Sequence, residues 1–302
     1  MMTTVLLWLL MLAVGAFIIY SHFFEPKCLE LTHRRISLPG LPPALEGLTI
    51  AHLSDLHIKS PANNFSYEIA EQAVALALAQ RPDLVCLTGD LGHASRHVDR
   101  AAEVLAPLAI FPAYAVMGNH DHDKVLENDV IGPPAIRCTP REWRSTIEAV
   151  GIHVLQNEHT VLKLRDSEVV IAGVGDPSCG WDDLPGALEG VPEGALRLLL
   201  VHSPDLLDEP DADWADLVLC GHTHGGQVNL PGIGCPWAPV WRDRARAEGL
   251  LAVGDTHCFI TRGIAAGLRT RFRCRPQVAL LTLTSGAGDR TRRRPRLPLP
   301  EH

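Results

Sequence analysis

The sequence contains no CxxC pair, and its eight cysteines follow no regular spacing. A thiolate zinc site and a disulfide framework are therefore excluded as organising features. Cys86 and Cys220 sit inside apolar runs, where reduced, buried thiols are expected, which suits a reducing compartment. Aromatic residues make up only 5% of the chain, whereas small aliphatics abound, so an α/β interior of Val, Leu, Ile and Ala is favoured. Positive charge is not in surplus either: the formal net charge is −8. No nucleic-acid-binding surface is expected, and any anion site must be built locally.

Charge is wholly absent from Met1 to Phe24, and Val5 to Tyr20 is almost entirely apolar. About 20 such residues, at ~1.5 Å each, cover the ~30 Å hydrocarbon core of a bilayer. The opening Met-Met-Thr-Thr lacks the Lys or Arg of a signal peptide, and no small-x-small cleavage site follows. Residues 1–24 are thus expected to form a single-pass transmembrane anchor. Lys27, Arg34 and Arg35 flank only its C-terminal side, which places the rest of the chain on the cytoplasmic face of the cell membrane. Residues 25–46, with Pro26, Pro39, Pro42 and Pro43, read as an extended linker, and residues 47–285 as the folded domain. The Arg- and Pro-rich residues 286–302 read as a basic, disordered tail.

Within the domain, short apolar runs alternate with helical patterns. Residues 48–54, 83–89 and 112–118 read as buried strands, and residues 67–80 and 98–108 as the helices between them. This spacing argues for parallel βαβ units. Residues 159–165 and 168–175 read as a hairpin turning at Asp166-Ser167, followed by buried strands at 196–202 and 216–222 and further β-structure to the end of the domain. A parallel half and a mixed half imply an α/β fold of two mixed β-sheets packed face to face with flanking helices.

Five of these segments end in residues that hold divalent metals. They are Ser54-Asp55-Leu56-His57, Gly89-Asp90, Gly118-Asn119-His120-Asp121, His202, and Gly221-His222-Thr223-His224-Gly225-Gly226. Ligands gather outside the carboxyl ends of strands in α/β sheets, so distant segments would converge on one crevice. Asp and Asn supply oxygen and His supplies nitrogen, a mixture suited to Mn²⁺, Fe or Zn²⁺.

The order DxH, GD, GNHD, H, GHTHGG over residues 48–284 resembles the calcineurin-like metallophosphoesterase family. The resemblance implies an αββα sandwich and two divalent metal ions, Mn, Fe, Zn or Mg. It implies that Asp55, His57 and His224 bind one ion, that Asn119, His202 and His222 bind the other, and that Asp90 bridges them. His120 would be a catalytic non-ligand that contacts the phosphate and protonates the leaving oxygen, with Asp121 orienting its imidazole. His52, His93, His122 and the remaining histidines are assigned no role in the site.

The anchor favours a membrane-associated phosphate ester as substrate. Arg271, Arg273 and Arg275 would share one face of a strand, either a solvated face or a basic shelf for a pyrophosphate or an anionic membrane. The chain is similar to a bacterial membrane-anchored subgroup that includes UDP-2,3-diacylglucosamine pyrophosphatases of lipid A synthesis. The alternatives are a general phosphodiesterase on soluble nucleotides or envelope polymers, and a non-catalytic metal-binding scaffold. Residues 176–194 read as a loop over the crevice, Trp181, Trp237 and Trp241 as ordinary packing residues that are also able to line an acyl groove, and Asp205–Asp216 as a solvated helix face.

Overall fold

The computed structural model describes residues 2–59, 64–122, 140–192, 194–209, 211–240 and 244–286. Residues 287–302, which hold most of the expected tail, and Trp241 lie outside the described residues. The chain opens with α1 (Met2–Ile19), a helix with no buried side chain. It continues through a π-turn, Tyr20–Phe24, and a 3₁₀ turn, Glu25–Lys27, into β1 (Glu30–Pro39). The expected linker is therefore corrected: ten of its residues form a strand of the domain itself, paired parallel with the last strand in the register Glu30↔Gln277 to Pro39↔Gly286.

The first sheet continues with β2 (Thr49–Leu53), α2 (Asn64–Ala79), β3 (Leu84–Thr88), α3 (Val98–Leu105), β4 (Ala113–Val116), α4 (Pro140–Ala149) and β5 (His153–Val154). The second is built from β6 (Glu158–Leu164), β7 (Ser167–Gly173), β8 (Leu196–Leu200), β9 (Leu217–Cys220), β10 (Gly249–Val253) and β11 (Thr256–Ile260), with α5 (Leu184–Leu188) between β7 and β8. β12 (Gln277–Gly286) returns to the first sheet, giving the orders β1-β12-β2-β3-β4-β5 and β10-β11-β9-β8-β7-β6. The hairpin joining β6 and β7 turns through Arg165 and Asp166, both at positive φ.

Side-chain alternation explains the layering. Leu84 and Cys86 of β3 face the second sheet, whereas Val85 and Leu87 face α2 and α3. Leu198 and Leu200 of β8 meet them in the middle, and Leu199 turns outward onto α5. Such strands are buried on both faces and read as unbroken apolar runs. Each fully buried Leu or Ile contributes about 1.5–3 kcal/mol. The outer cover of the second sheet is thin, consisting of α5 and short 3₁₀ turns carrying Leu206, Leu207 and Ala212. Two expectations are corrected here. Residues 176–194 are not simply a loop, because Leu184, Ala187 and Leu188 belong to this outer core. The acidic stretch is not a solvated helix: Asp205 and Asp216 are buried, and Asp216 accepts from Arg197 N at 2.8 Å.

Candidate metal centre

The carboxyl ends of both sheets open on one side, and backbone pairing carries past them. Asp55 N donates to Gly89 O at 3.0 Å and His57 N to Asp90 O at 2.9 Å, so the DLH and GD segments stay in register beyond β2 and β3. Asp55, His57, Asp90, His222 and His224 all have positive φ, between 44° and 68°. The left-handed region costs a non-glycine residue about 1–2 kcal/mol, and such strain collects where function demands it. Two glycines are required by close approach. A Cβ on Gly118 would stand 2.3 Å from Asp90 Oδ1, and one on Gly221 would stand 1.9 Å from Ser54 Oγ.

The side chains so placed form two groups joined by a carboxylate. Donor atoms of Asp55, His57 and His224 lie within 4.8 Å of one another, as do those of Asp176, His202 and His222. A third group, Asp55, Asp90 and His202, connects them. Asp90 Oδ2 is 3.4 Å from His57 Nε2 and 3.3 Å from His202 Nε2, while Asp90 Oδ1 accepts from His120 N at 2.9 Å. Asn119 Oδ1 is 3.2 Å from His222 Nδ1. His202 Nδ1 faces Thr88 O at 2.7 Å, a contact in which it donates, turning Nε2 to the crevice.

These atoms fit a cation. His57 Nε2, His202 Nε2, His224 Nδ1 and Asp176 Oδ2 are buried without a hydrogen-bond partner. An unsatisfied buried polar atom costs about 1–3 kcal/mol, and two of these, His57 Nε2 and His202 Nε2, flank Asp90 Oδ2. A divalent ion would satisfy imidazole and carboxylate together. The electrostatics agree. Burial, with some help from Asp90, pushes the Asp55 carboxyl up to about 7. Burial alone would raise Asp90 as well, yet His202 and His57 beside it hold it well below the usual range. Burial lowers the imidazoles of His57, His222 and His224, so they are neutral and free to donate lone pairs. Burial would lower His202 too, but Asp90, Asp55 and Asp176 overcome it and raise its pKa well above the ordinary value.

All seven side chains expected as ligands therefore meet in one crevice, and His120 borders it. The His120 ring lies 4.7 Å from that of His57. Asp121 is corrected: its carboxylate does not reach the His120 ring but accepts from Gly118 N, Leu91 N and Gly92 N at 3.0–3.3 Å, clasping the GNHD loop to the loop after Asp90. Burial, followed by repulsion from Asp90, raises that carboxyl to about 7. Two residues of the site were not anticipated. His93 stacks on His120 at 5.2 Å and groups with His57 and His120. Asp176, fully buried, caps the Pro177–Cys179 turn through Ser178 N, and one of its oxygens lies within 4.8 Å of ring nitrogens of His202 and His222. Both were within reach of the strand-end rule, since His93 lies three residues after Asp90, and Asp176 three after the end of β7.

The expected basic strand is also corrected. Residues 268–276 are irregular apart from one isolated bridge, Val228↔Phe272. Arg271 points inward, fully buried, and its guanidinium donates to the carbonyls of Arg262, Ala265 and Cys274 at 3.0–3.2 Å. Trp181 packs against His122 with the rings tilted by 35° and their centroids 4.5 Å apart, whereas Trp237 is largely exposed.

Residues 48–226 match the family described as calcineurin-like phosphoesterase. Phosphodiesterase YaeI of Escherichia coli is 36% identical, over 87% of this chain and 92% of its own length. The uncharacterized metallophosphoesterase YkuE of Bacillus subtilis is 29% identical, over 88% and 89%. UDP-2,3-diacylglucosamine pyrophosphatase LpxG of Chlamydia trachomatis is 23% identical, over 87% and 92%.

Proposed function

From the premise that the chain belongs to the calcineurin-like phosphoesterase family, whose members are metal-dependent phosphoester hydrolases, we propose that it is a membrane-anchored phosphodiesterase or pyrophosphatase working through two divalent ions. The observation that carries this reading is Asp90 Oδ2, poised within 3.4 Å of one imidazole from each group of donors. We assign Asp55, His57 and His224 to one ion, Asn119, His202 and His222 to the other, and Asp90 to both. Asp176 adds an oxygen to the second set.

Two such ions, once bound, neutralise phosphate charge and activate water for in-line attack. The chain's own residues do the rest. His120, held by its N–H to Asp90 and by stacking on His93, delivers a proton to the departing oxygen. Thr88 O fixes the His202 ring, and Asp121 keeps the loop carrying Asn119 and His120 against the loop carrying His93.

The substrate class is a phosphodiester or pyrophosphate borne by a lipid, of the UDP-2,3-diacylglucosamine kind that serves lipid A synthesis. Two observations support it: the apolar helix Met2–Lys27 is long enough to span a bilayer, and relatives covering most of the chain are pyrophosphatases of that substrate. The positive residues after the helix favour a domain on the cytoplasmic side. A second reading, a phosphodiesterase of soluble nucleotides or envelope polymers, is favoured by the higher identity to YaeI, whose name specifies no lipid.

The deciding assay compares kcat/KM of the Mn²⁺-loaded full chain on UDP-2,3-diacylglucosamine in mixed micelles with that on soluble dinucleotides. The lipid substrate should win by about tenfold or more, equivalent to ~1.4 kcal/mol of transition-state binding. Equal or reversed preference would move the conclusion to the second reading. In His120→Ala, turnover should drop about 10²–10⁴-fold with both ions retained. Undiminished turnover would remove His120 from the chemistry.

A further inference from the structure

The foot of the apolar helix meets the domain at a second polar site. After α1 the chain is no longer free: Ser21 and Glu25 are buried. Ser21 O accepts from Arg271 N at 2.8 Å, and Glu25 Oε1 accepts from Cys274 N at 2.6 Å. These bonds fix the height of the 268–275 loop along the helix. Phe272 packs edge-on against Phe17 and Tyr20, with ring centroids 4.9 and 6.3 Å apart. Phe17 lies in the last turn of α1, the regular part of the helix long enough to cross a membrane. A loop that touches it sits at headgroup depth, where amphipathic aromatics such as Tyr20 are favoured. Leu268 of the same loop is an apolar side chain that is 74% exposed.

Between helix foot and loop lies a cleft of about 480 Å³, lined by Tyr20, Glu25, Glu30, Arg262, Arg273 and Arg275 together with Phe272. Its charges are unevenly committed. Arg262 pairs with Glu30 at 2.6 Å and Glu248 at 3.5 Å, and Glu25 is held by Cys274 N. Arg273 and Arg275 are exposed, and their guanidinium groups form no ion pair among the described residues. Arg273 stands at φ 53°, a left-handed conformation that costs a non-glycine residue about 1–2 kcal/mol.

We propose that this cleft seats the phosphate of an anionic phospholipid headgroup, with the acyl chains running beside α1. The inference rests on the anchor reading above. Two free guanidinium groups match the oxygens of a phosphodiester, which Arg grips in bidentate fashion. The chain as a whole carries a net charge of −8 and would be repelled by an anionic leaflet, so attraction must come from a local pair of this kind. Headgroup depth assigns the phosphate to a lipid rather than to a free ion.

The test uses the full chain, floated with phosphatidylcholine vesicles with and without phosphatidylglycerol, and native mass spectrometry of the lipids it retains in detergent. Wild type should float with both vesicles and retain phosphatidylglycerol in preference to phosphatidylcholine. The double variant Arg273→Gln/Arg275→Gln should still float but lose that preference by roughly thirtyfold, each single variant by about fivefold. Lys163→Gln, on the far edge strand β6, should keep it. Failure to float with either vesicle overturns the anchor and this inference with it. Flotation with an undiminished phosphatidylglycerol preference in the double variant overturns the cleft alone. Wild-type binding of inorganic phosphate without any lipid preference gives the cleft to a free anion and overturns it too.

Discussion

At the scale of single residues, Asp176 separates a ligand from a turn former. Its Oδ1 already caps the Pro177–Cys179 turn, so the turn does not require Oδ2, which is buried with no hydrogen bond. Asp176→Asn preserves shape and the cap while removing the charge. The variant should fold as wild type yet bind the second ion about 10–100-fold more weakly by calorimetric titration, and undiminished affinity would confine Asp176 to the turn. Proton competition gives a companion prediction. In the metal-free protein burial holds Asp55 at about 7, so below that pH an incoming cation must displace a proton. His202, raised well above its ordinary value by the carboxylates that outweigh its burial, keeps a proton that must also leave. Metal affinity should therefore rise with pH, by about tenfold per unit for each proton displaced. The slope should be steeper below pH 7, where both protons leave, than above it, where only that of His202 remains. Affinity independent of pH between 6 and 8 would contradict these assignments.

At the scale of elements, the strand-end motifs were legible because ligand chemistry and backbone geometry coincide there. Asp55, Asp90, Asn119, His202, His222 and His224 all follow apolar runs, and the structure brings them together. What stayed hidden has physical reasons. β1 is an edge strand whose burial sets in only at Ile36 and Leu38, so its earlier residues, Glu30 to Arg35, look like solvated chain between prolines. The arginines after Gly267 alternate like a strand, but the buried guanidinium of Arg271 is satisfied by carbonyls of an irregular turn, and a periodicity of two cannot distinguish these cases. Asp176 was legible by the same rule as Asp90 and was obscured by the Gly- and Pro-rich residues that follow it. The position of β1 predicts the outcome of truncation. Removing residues 1–24 leaves both sheets whole, whereas removing residues 1–39 strips β1 from β12 and exposes apolar surface once covered by Ile36 and Leu38. The longer deletion should cost about 3–6 kcal/mol, read as a lowered denaturant midpoint, and equal midpoints for the two truncations would return the segment to a linker role.

At the scale of the molecule, the two sheets contribute opposite halves of the centre. Asp55, His57, Asp90 and Asn119 follow strands of the first sheet, and Asp176, His202, His222 and His224 follow strands of the second. The apolar layer between the sheets holds their middles together, but their carboxyl ends meet through buried carboxylates and unsatisfied imidazoles. Bound ions would therefore act as staples between sheets. An ion at about a hundredfold excess over its Kd stabilises the folded chain by ~2.7 kcal/mol, and for a domain of this size that corresponds to a rise in Tm of about 5–10 °C. Chelation should reverse the rise. The response of variants should follow position: Asp176→Asn keeps the contribution of the first ion, whereas Asp90→Asn, which removes the oxygen facing His57 and His202 alike, loses nearly the whole metal-dependent increment. Asp90→Asn should also melt lower without metal, because it deprives the buried His202 of the charge that most strongly favours its protonated form. A metal-dependent rise in Tm that survived intact in Asp90→Asn would mean that the sheets are stapled without this carboxylate, and that the two groups of donors act as separate sites.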